Sequence, residues 1–162
     1  MKKAYIVILM GSKADLGHAH KIQKAAETFG IPVKLRVGSA HKTAKHVMQL
    51  LEAYELDPTP KVYITIAGRS NALSGFTDGA VKSPVIACPP PSESFGGADI
   101  YSSLRMPSGI APAVVLEPAI AALLAAKMIG LLDEEVQQKV VAFQHKNAEI
   151  IVQDDQEIHG SI

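Results

Sequence analysis

Three short polar segments interrupt an otherwise apolar pattern, and each carries residues able to do chemistry. The first, Gly11-Ser12-Lys13-Ala14-Asp15, follows the run Tyr5–Met10. A glycine permits a tight turn there, and the Ser12 hydroxyl with backbone N–H groups at a helix start can hold a phosphate. The same residues equally make an ordinary N-cap, with Ser12 or Asp15 as the capping side chain. Neither G-x-x-x-x-G-K-[ST] nor G-x-G-x-x-G occurs, so ATP and dinucleotides are not indicated. The second segment is Ser39-Ala40-His41-Lys42. Histidine suits proton transfer near neutral pH, and Lys42 beside it can supply charge for a phosphate. Taken singly, His41 also fits a solvent-facing residue in a capping turn. The third, Gly68-Arg69-Ser70-Asn71-Ala72-Leu73-Ser74-Gly75, frames hydroxyl and amide groups at another helix start, suited to a carboxylate or a polar planar group. By itself it is a turn-rich connection.

The remaining candidates are weaker. His18 and His20 are two apart on an expected helix and face different ways, His46 is five from His41, and His145 and His159 stand alone. No metal site is expected. Cys88 ends an apolar stretch and reads as a small buried hydrophobe rather than a nucleophile.

These segments recur because strands and helices alternate along the chain. Tyr5–Met10 is near-continuously apolar, as for a strand covered on both faces of a parallel sheet. Leu16, Ala19, Ile22, Ala26 and Phe29 mark one face of a helix that Gly30 closes. Val33, Leu35 and Val37 alternate with Lys34 and Arg36 as a second strand. Val47, Leu50, Leu51 and Tyr54 recur at i, i+3, i+4, i+7 as an amphipathic helix. Residues 62–67 read as a third strand, 75–81 as a short helix, 84–88 as a fourth strand and 113–116 as a fifth. The polar segment up to Gly109 is too long to be idle, and is expected to be functional or partly helical. Pro118 opens a helix to about Leu131, and a more polar helix spans about 133–155, with 156–162 expected to fray. The expected architecture is a single α/β domain over residues 1–162. It is a three-layer, flavodoxin-like parallel sheet of about five strands, with helices on both faces and a C-terminal helix extension. Ligands in such sheets bind beyond the carboxyl ends of the strands.

Bulk properties agree with that reading. Lys plus Arg and Asp plus Glu are 16 each, so no net field draws the chain to nucleic acid or anionic lipid, and phosphate recognition must be local. The single cysteine rules out an internal disulfide framework and suits a reducing, cytoplasmic setting. The first apolar run is followed by Gly-Ser-Lys rather than a cleavage site, so it reads as a strand and not a signal segment. No run approaches the ~18 apolar residues of a membrane span. Residues 119–131 are apolar almost all round, which predicts packing against a second subunit.

In order, Gly-Ser-Lys-Ala-Asp (11–15), Ser-Ala-His-Lys (39–42), Ala-Gly-Arg-Ser-Asn-Ala-Leu-Ser-Gly (67–75), Cys-Pro-Pro-Pro (88–91) and Ser-Ser-Leu-Arg-Met-Pro-Ser-Gly (102–109) resemble the phosphoribosylaminoimidazole (AIR) carboxylase family of purine biosynthesis. One class of that family moves a carboxylate from N5 to C4 as a mutase, and its third loop resembles Gly-Gly-Ala-Ala-His-Leu-Pro-Gly. Here that loop has no histidine, and Lys42 stands where the first class usually has Arg. Both departures imply the second class, which carboxylates AIR with CO2, reversibly and without ATP, metal or other cofactor. The resemblance implies that Gly11, Ser12, Ser39 and Lys42 surround the substrate phosphate and Asp15 its ribose hydroxyls. It assigns acid–base chemistry to His41, and places Gly68, Ser70, Asn71 and Leu73 at the aminoimidazole and carboxylate end. Arg105, Pro107 and Gly109 would border the site, from another subunit. The implied partners are AIR, CO2 and further copies of the chain, as a tetramer or octamer, with no nucleic acid and no membrane. The rival expectations are the sister-class mutase and a non-catalytic flavodoxin-like module holding FMN or a phosphorylated regulator.

Overall fold

The computed structural model describes residues 3–160. Five strands, β1 (Tyr5–Met10), β2 (Val33–Val37), β3 (Lys61–Ile66), β4 (Val85–Ala87) and β5 (Ala113–Val114), form one parallel sheet in the order β2-β1-β3-β4-β5. The order reverses direction between β1 and β3, so the switch point falls where the loops after β1, β2 and β3 open together. The flavodoxin-like expectation therefore holds.

Alternation along β1 divides the core. Ile6, Ile8 and Met10 face one layer with α1 (Leu16–Thr28), α5 (Pro118–Gly130) and the start of α6 (Glu134–His159). Tyr5, Val7 and Leu9 face the other, with α2 (Ala44–Leu56) and α3 (Ala72–Ala80). All six side chains are essentially removed from water, and each large aliphatic one contributes about 1.5–3 kcal/mol by that burial. This two-sided covering is why β1 is apolar along its length and β3 is apolar but for the buried Lys61 and Thr65. β2 lies at the edge, with only intermediate and exposed residues, which accounts for its lysine and arginine.

Several boundaries differ from expectation. α3 starts at Ala72, inside the segment read as a loop, because the Asn71 side chain caps it by accepting from the Ser74 N–H at 3.1 Å. Gly75 therefore sits within the helix. A side chain there would meet Met106 Sδ at 3.0 Å, so glycine admits the 106–110 strap rather than making a turn. The long segment after β4 does carry helix: a kinked 3-10 stretch, Ser94–Ile100, leads into α4 (Tyr101–Leu104). α6 continues to His159, beyond the expected fraying point, since no glycine or proline interrupts it before Gly160. The rest of the expected frayed tail, 161–162, lies outside the described residues. α5 packs against α1 and α6 of the same chain, which cover much of the apolar surface first assigned to a second subunit. Ile120, Leu131 and Leu132 remain exposed around it.

Candidate active site

At the switch point the carboxyl ends of β1, β2, β3 and β4 enclose a cavity of about 610 Å³. Its first wall follows β1. The Gly11 N–H donates to the Ile66 carbonyl at 2.8 Å, joining this loop to the end of β3. Ser12 and Asp15 then form a reciprocal capping box: Ser12 Oγ accepts from the Ala14 N–H at 2.9 Å, and the Ser12 N–H donates to Asp15 Oδ2 at 3.1 Å. The capping and ligand-binding readings of this loop are thus compatible, because the capped residues also line the cavity. Burial raises the Asp15 carboxyl above its ordinary value, opposed by the Ser12 N–H and by His18.

The second wall follows β2. The Gly38 N–H donates to the Met10 carbonyl at 2.8 Å, and a closed turn begins at Ser39. The Ser39 N–H donates to Thr43 Oγ1 at 2.9 Å, the Thr43 N–H donates to the Ser39 carbonyl at 2.8 Å, and Ser39 Oγ accepts from the Lys42 N–H at 3.3 Å. This turn carries His41 and Lys42 at the cavity rim, both exposed. α2 begins at Ala44, so His41 precedes the helix.

Behind β3, Gly68, Arg69, Ser70 and Leu73 complete the lining, and Pro90, Pro91 and Ser92 close the side beyond β4. Of the residues expected in the site, Gly11, Ser12, Asp15, Ser39, His41, Lys42, Gly68, Ser70 and Leu73 all line this one cavity. Asn71 does not. Its Oδ1 caps α3, its Nδ2 donates to Ser103 Oγ at 2.9 Å, and its N–H donates to Ser102 Oγ at 2.9 Å. Asn71 is buried with these groups engaged, beside an adjoining cleft that it lines with Ser70. Arg105 and Pro107 line a separate cleft of about 330 Å³, which meets the main cavity at Ser70. Pro90 and Pro91 enter the site from a segment expected to be functional but given no role. Its signal was positional: Pro89-Pro90-Pro91 leaves the carboxyl end of a strand, where such sheets place ligands.

Cys88 is fully buried and its thiol is pushed up to about 12 by burial, with Glu117 adding to the rise, so it stays protonated and is no nucleophile. Its Sγ lies 3.4 Å from His18 Nε2. Burial lowers the His18 pKa below its ordinary 6.5, and Lys21 acts in the same sense, while a hydrogen bond to Cys88, Asp15 and Glu117 oppose it. A histidine whose folded pKa is depressed stabilises fully above its unfolded value, and that stability is lost as pH falls through 6.5 toward the folded value. The melting temperature is accordingly expected to fall on acidification from pH 7.5 to 5.5, and His18→Gln to flatten that slope. Parallel melting curves across this range check it; identical slopes would remove His18 as the cause. Among the described residues no group of three His, Cys, Asp or Glu side chains gathers as a metal site, and no helix is long and apolar enough to cross a membrane.

A family model described as AIR carboxylase matches residues 5–150. The phosphoribosylaminoimidazole carboxylase of Treponema denticola is 60% identical over 153 residues, covering 94% of this chain and 96% of that protein. The protein of the same name from Archaeoglobus fulgidus is 51% identical, over 94% of this chain and 83% of its own. The mouse bifunctional phosphoribosylaminoimidazole carboxylase/phosphoribosylaminoimidazole succinocarboxamide synthetase is 45% identical over 85% of this chain, which corresponds to 32% of the mouse protein. The crystal structure of Treponema denticola PurE superposes with a TM-score of 0.93 at 59% identity, over 96% of this chain and 98% of that one.

Proposed function

The chain belongs to the AIR carboxylase family, and from that premise we propose that it carboxylates 5-aminoimidazole ribonucleotide at C4 with CO2, giving 4-carboxy-AIR in purine biosynthesis. The reading makes the reaction reversible and independent of ATP. It is carried by one observation: Ser12 and Asp15, Ser39, His41 and Lys42, and Gly68, Ser70 and Leu73 share a single cavity although they come from three separate strand ends.

The chemistry suits those groups. AIR is an electron-rich enamine, so C4 attacks CO2 once the two are held together away from water. The C4–C bond forms with the enamine electron pair, leaving a tetrahedral carbon that bears both hydrogen and carboxylate. His41 removes that proton, and the C–H electrons restore the aromatic ring. Ser12, Ser39 and Lys42 hold the phosphate, Asp15 accepts from the ribose hydroxyls, and Ser70 with neighbouring backbone N–H groups stabilises the new carboxylate. With Asn71 engaged elsewhere, that last task falls to Ser70 and the main chain. The third loop, Arg69-Ser70-Asn71-Ala72, lacks a histidine, which favours direct carboxylation over transfer from N5.

We place the enzyme in the cytoplasm, and we read it as a homo-oligomer, which the exposed Phe143, Ile150, Ile151, Val152 and Ile158 on α6 and Ile120 on α5 support. The deciding experiment supplies purified protein with AIR plus bicarbonate, and separately with N5-carboxy-AIR, in the absence of ATP. Formation of 4-carboxy-AIR from the first mixture, and CO2 release from 4-carboxy-AIR in reverse, are expected. Product from N5-carboxy-AIR alone would instead identify a mutase, and turnover of neither would leave a binding module.

A further inference from the structure

Arg69 holds φ at 59°, in the left-handed region that residues other than glycine rarely occupy. It stands immediately before Ser70, in the cavity wall. Such a conformation persists where surrounding structure over-determines it. Here the surrounding structure is α4 and the cap of α3. The Asn71 N–H donates to Ser102 Oγ at 2.9 Å, Asn71 Nδ2 donates to Ser103 Oγ at 2.9 Å, and Asn71 Oδ1 accepts from the Ser74 N–H at 3.1 Å. Ser102 is itself tied down, donating from Oγ to the Asp99 carbonyl at 2.7 Å. Asn71 is 3% exposed and Ser103 1%, so water does not compete for the bond between them. The residue after Ser70 is thus fixed at three atoms, and the residue before it is bent into an unfavoured conformation.

We propose that Asn71, Ser102 and Ser103 form a clamp that keeps Arg69 in its left-handed conformation and so presents Ser70 to the reacting end of the substrate. They are positioning residues for the reaction proposed above, on which this inference rests, and they act through Ser70 without touching substrate. The phosphate end of the cavity is built from other strand ends and does not depend on the clamp. Loss of the clamp therefore affects kcat more than KM.

Ser103→Ala is expected to lower kcat about 10- to 100-fold while KM for AIR stays within about twofold, as for misplacement of one group in an otherwise assembled site. Ser103→Thr, which keeps the hydroxyl, should recover most of the rate. Arg69→Gly removes the backbone penalty that the clamp opposes, so the Ser103→Ala defect should be smaller in the Arg69→Gly background than in the wild type. Amide exchange at residues 69–72 should quicken in Ser103→Ala, a readout that needs no turnover. Should Ser103→Ala fail to fold, Ser102→Ala carries the same measurements. Wild-type kcat with unchanged exchange overturns the clamp. So does a loss of activity that follows the folded fraction alone, or equal defects in both Arg69 backgrounds. Faster exchange in a protein whose wild type does not carboxylate AIR would retain the clamp and reject the reaction.

Discussion

His41→Asn is expected to lower kcat by about 10²–10⁴-fold, the range for losing a positioned general base, while KM for AIR moves little. The proton on the tetrahedral C4 has to leave before the ring regains aromaticity, and an amide cannot accept it at neutral pH. Position favours a clean result. His41 is exposed, in the turn between Ser39 and Thr43 that backbone and hydroxyl hydrogen bonds hold without it. Stability should therefore change by no more than about 0.5 kcal/mol, as for ordinary surface substitutions. Steady-state kinetics with a melting curve on the same preparation separate the two effects. A variant with near wild-type kcat would assign the proton transfer elsewhere in the cavity.

Lys42→Ala should act oppositely, on binding instead of turnover. The protein has no net charge to attract an anionic substrate, so phosphate affinity rests on local donors. Removing one charge-assisted contact costs about 1.5–3 kcal/mol, which corresponds to a rise in KM of about 10- to 150-fold. Because the phosphate is remote from C4, that contact is equal in ground and transition states, and kcat should be nearly preserved. Lys42 is exposed, so the wild-type KM should also climb with ionic strength, and Lys42→Ala should lose much of that dependence. Titrating AIR at low and high salt tests both points. An unchanged KM would show that Ser12, Ser39 and the backbone N–H groups hold the phosphate unaided.

Most of the fold could be read from pattern because parallel sheets impose a strong one. β1 and β3 are covered on both faces, so β1 is an apolar run and β3 one broken only by Lys61 and Thr65, whereas edge strand β2 alternates. The weaker elements followed weaker signals. β5 has only two paired residues, and the start of α3 depends on the Asn71 side-chain cap, which composition alone does not distinguish from a loop. The apolar character of α5 was visible, but its cover was not. That α6 folds back onto it involves residues such as Val136 and Val140, and nothing in the local periodicity of either helix states that pairing.

The site divides in the same way. The identity of its polar segments was legible because Ser12, His41, Lys42 and Ser70 interrupt apolar periodicity beside strand ends, and the resemblance supplied their roles. Residue type and spacing alone left each segment open between a cap or turn and a ligand site. Three matters needed the tertiary structure. The strand order β2-β1-β3 brings loops far apart in sequence to one cavity, and Pro90, Pro91 and Ser92 join them from the far side of β4. Asn71, next to Ser70 in sequence, is drawn away to Ser102 and Ser103 because a buried amide needs hydrogen-bond partners and α4 provides them. Local chemistry is written in the order of residues, but which donor meets which acceptor is decided by contacts across more than thirty positions, as between Asn71 and Ser103 with a separation of 32.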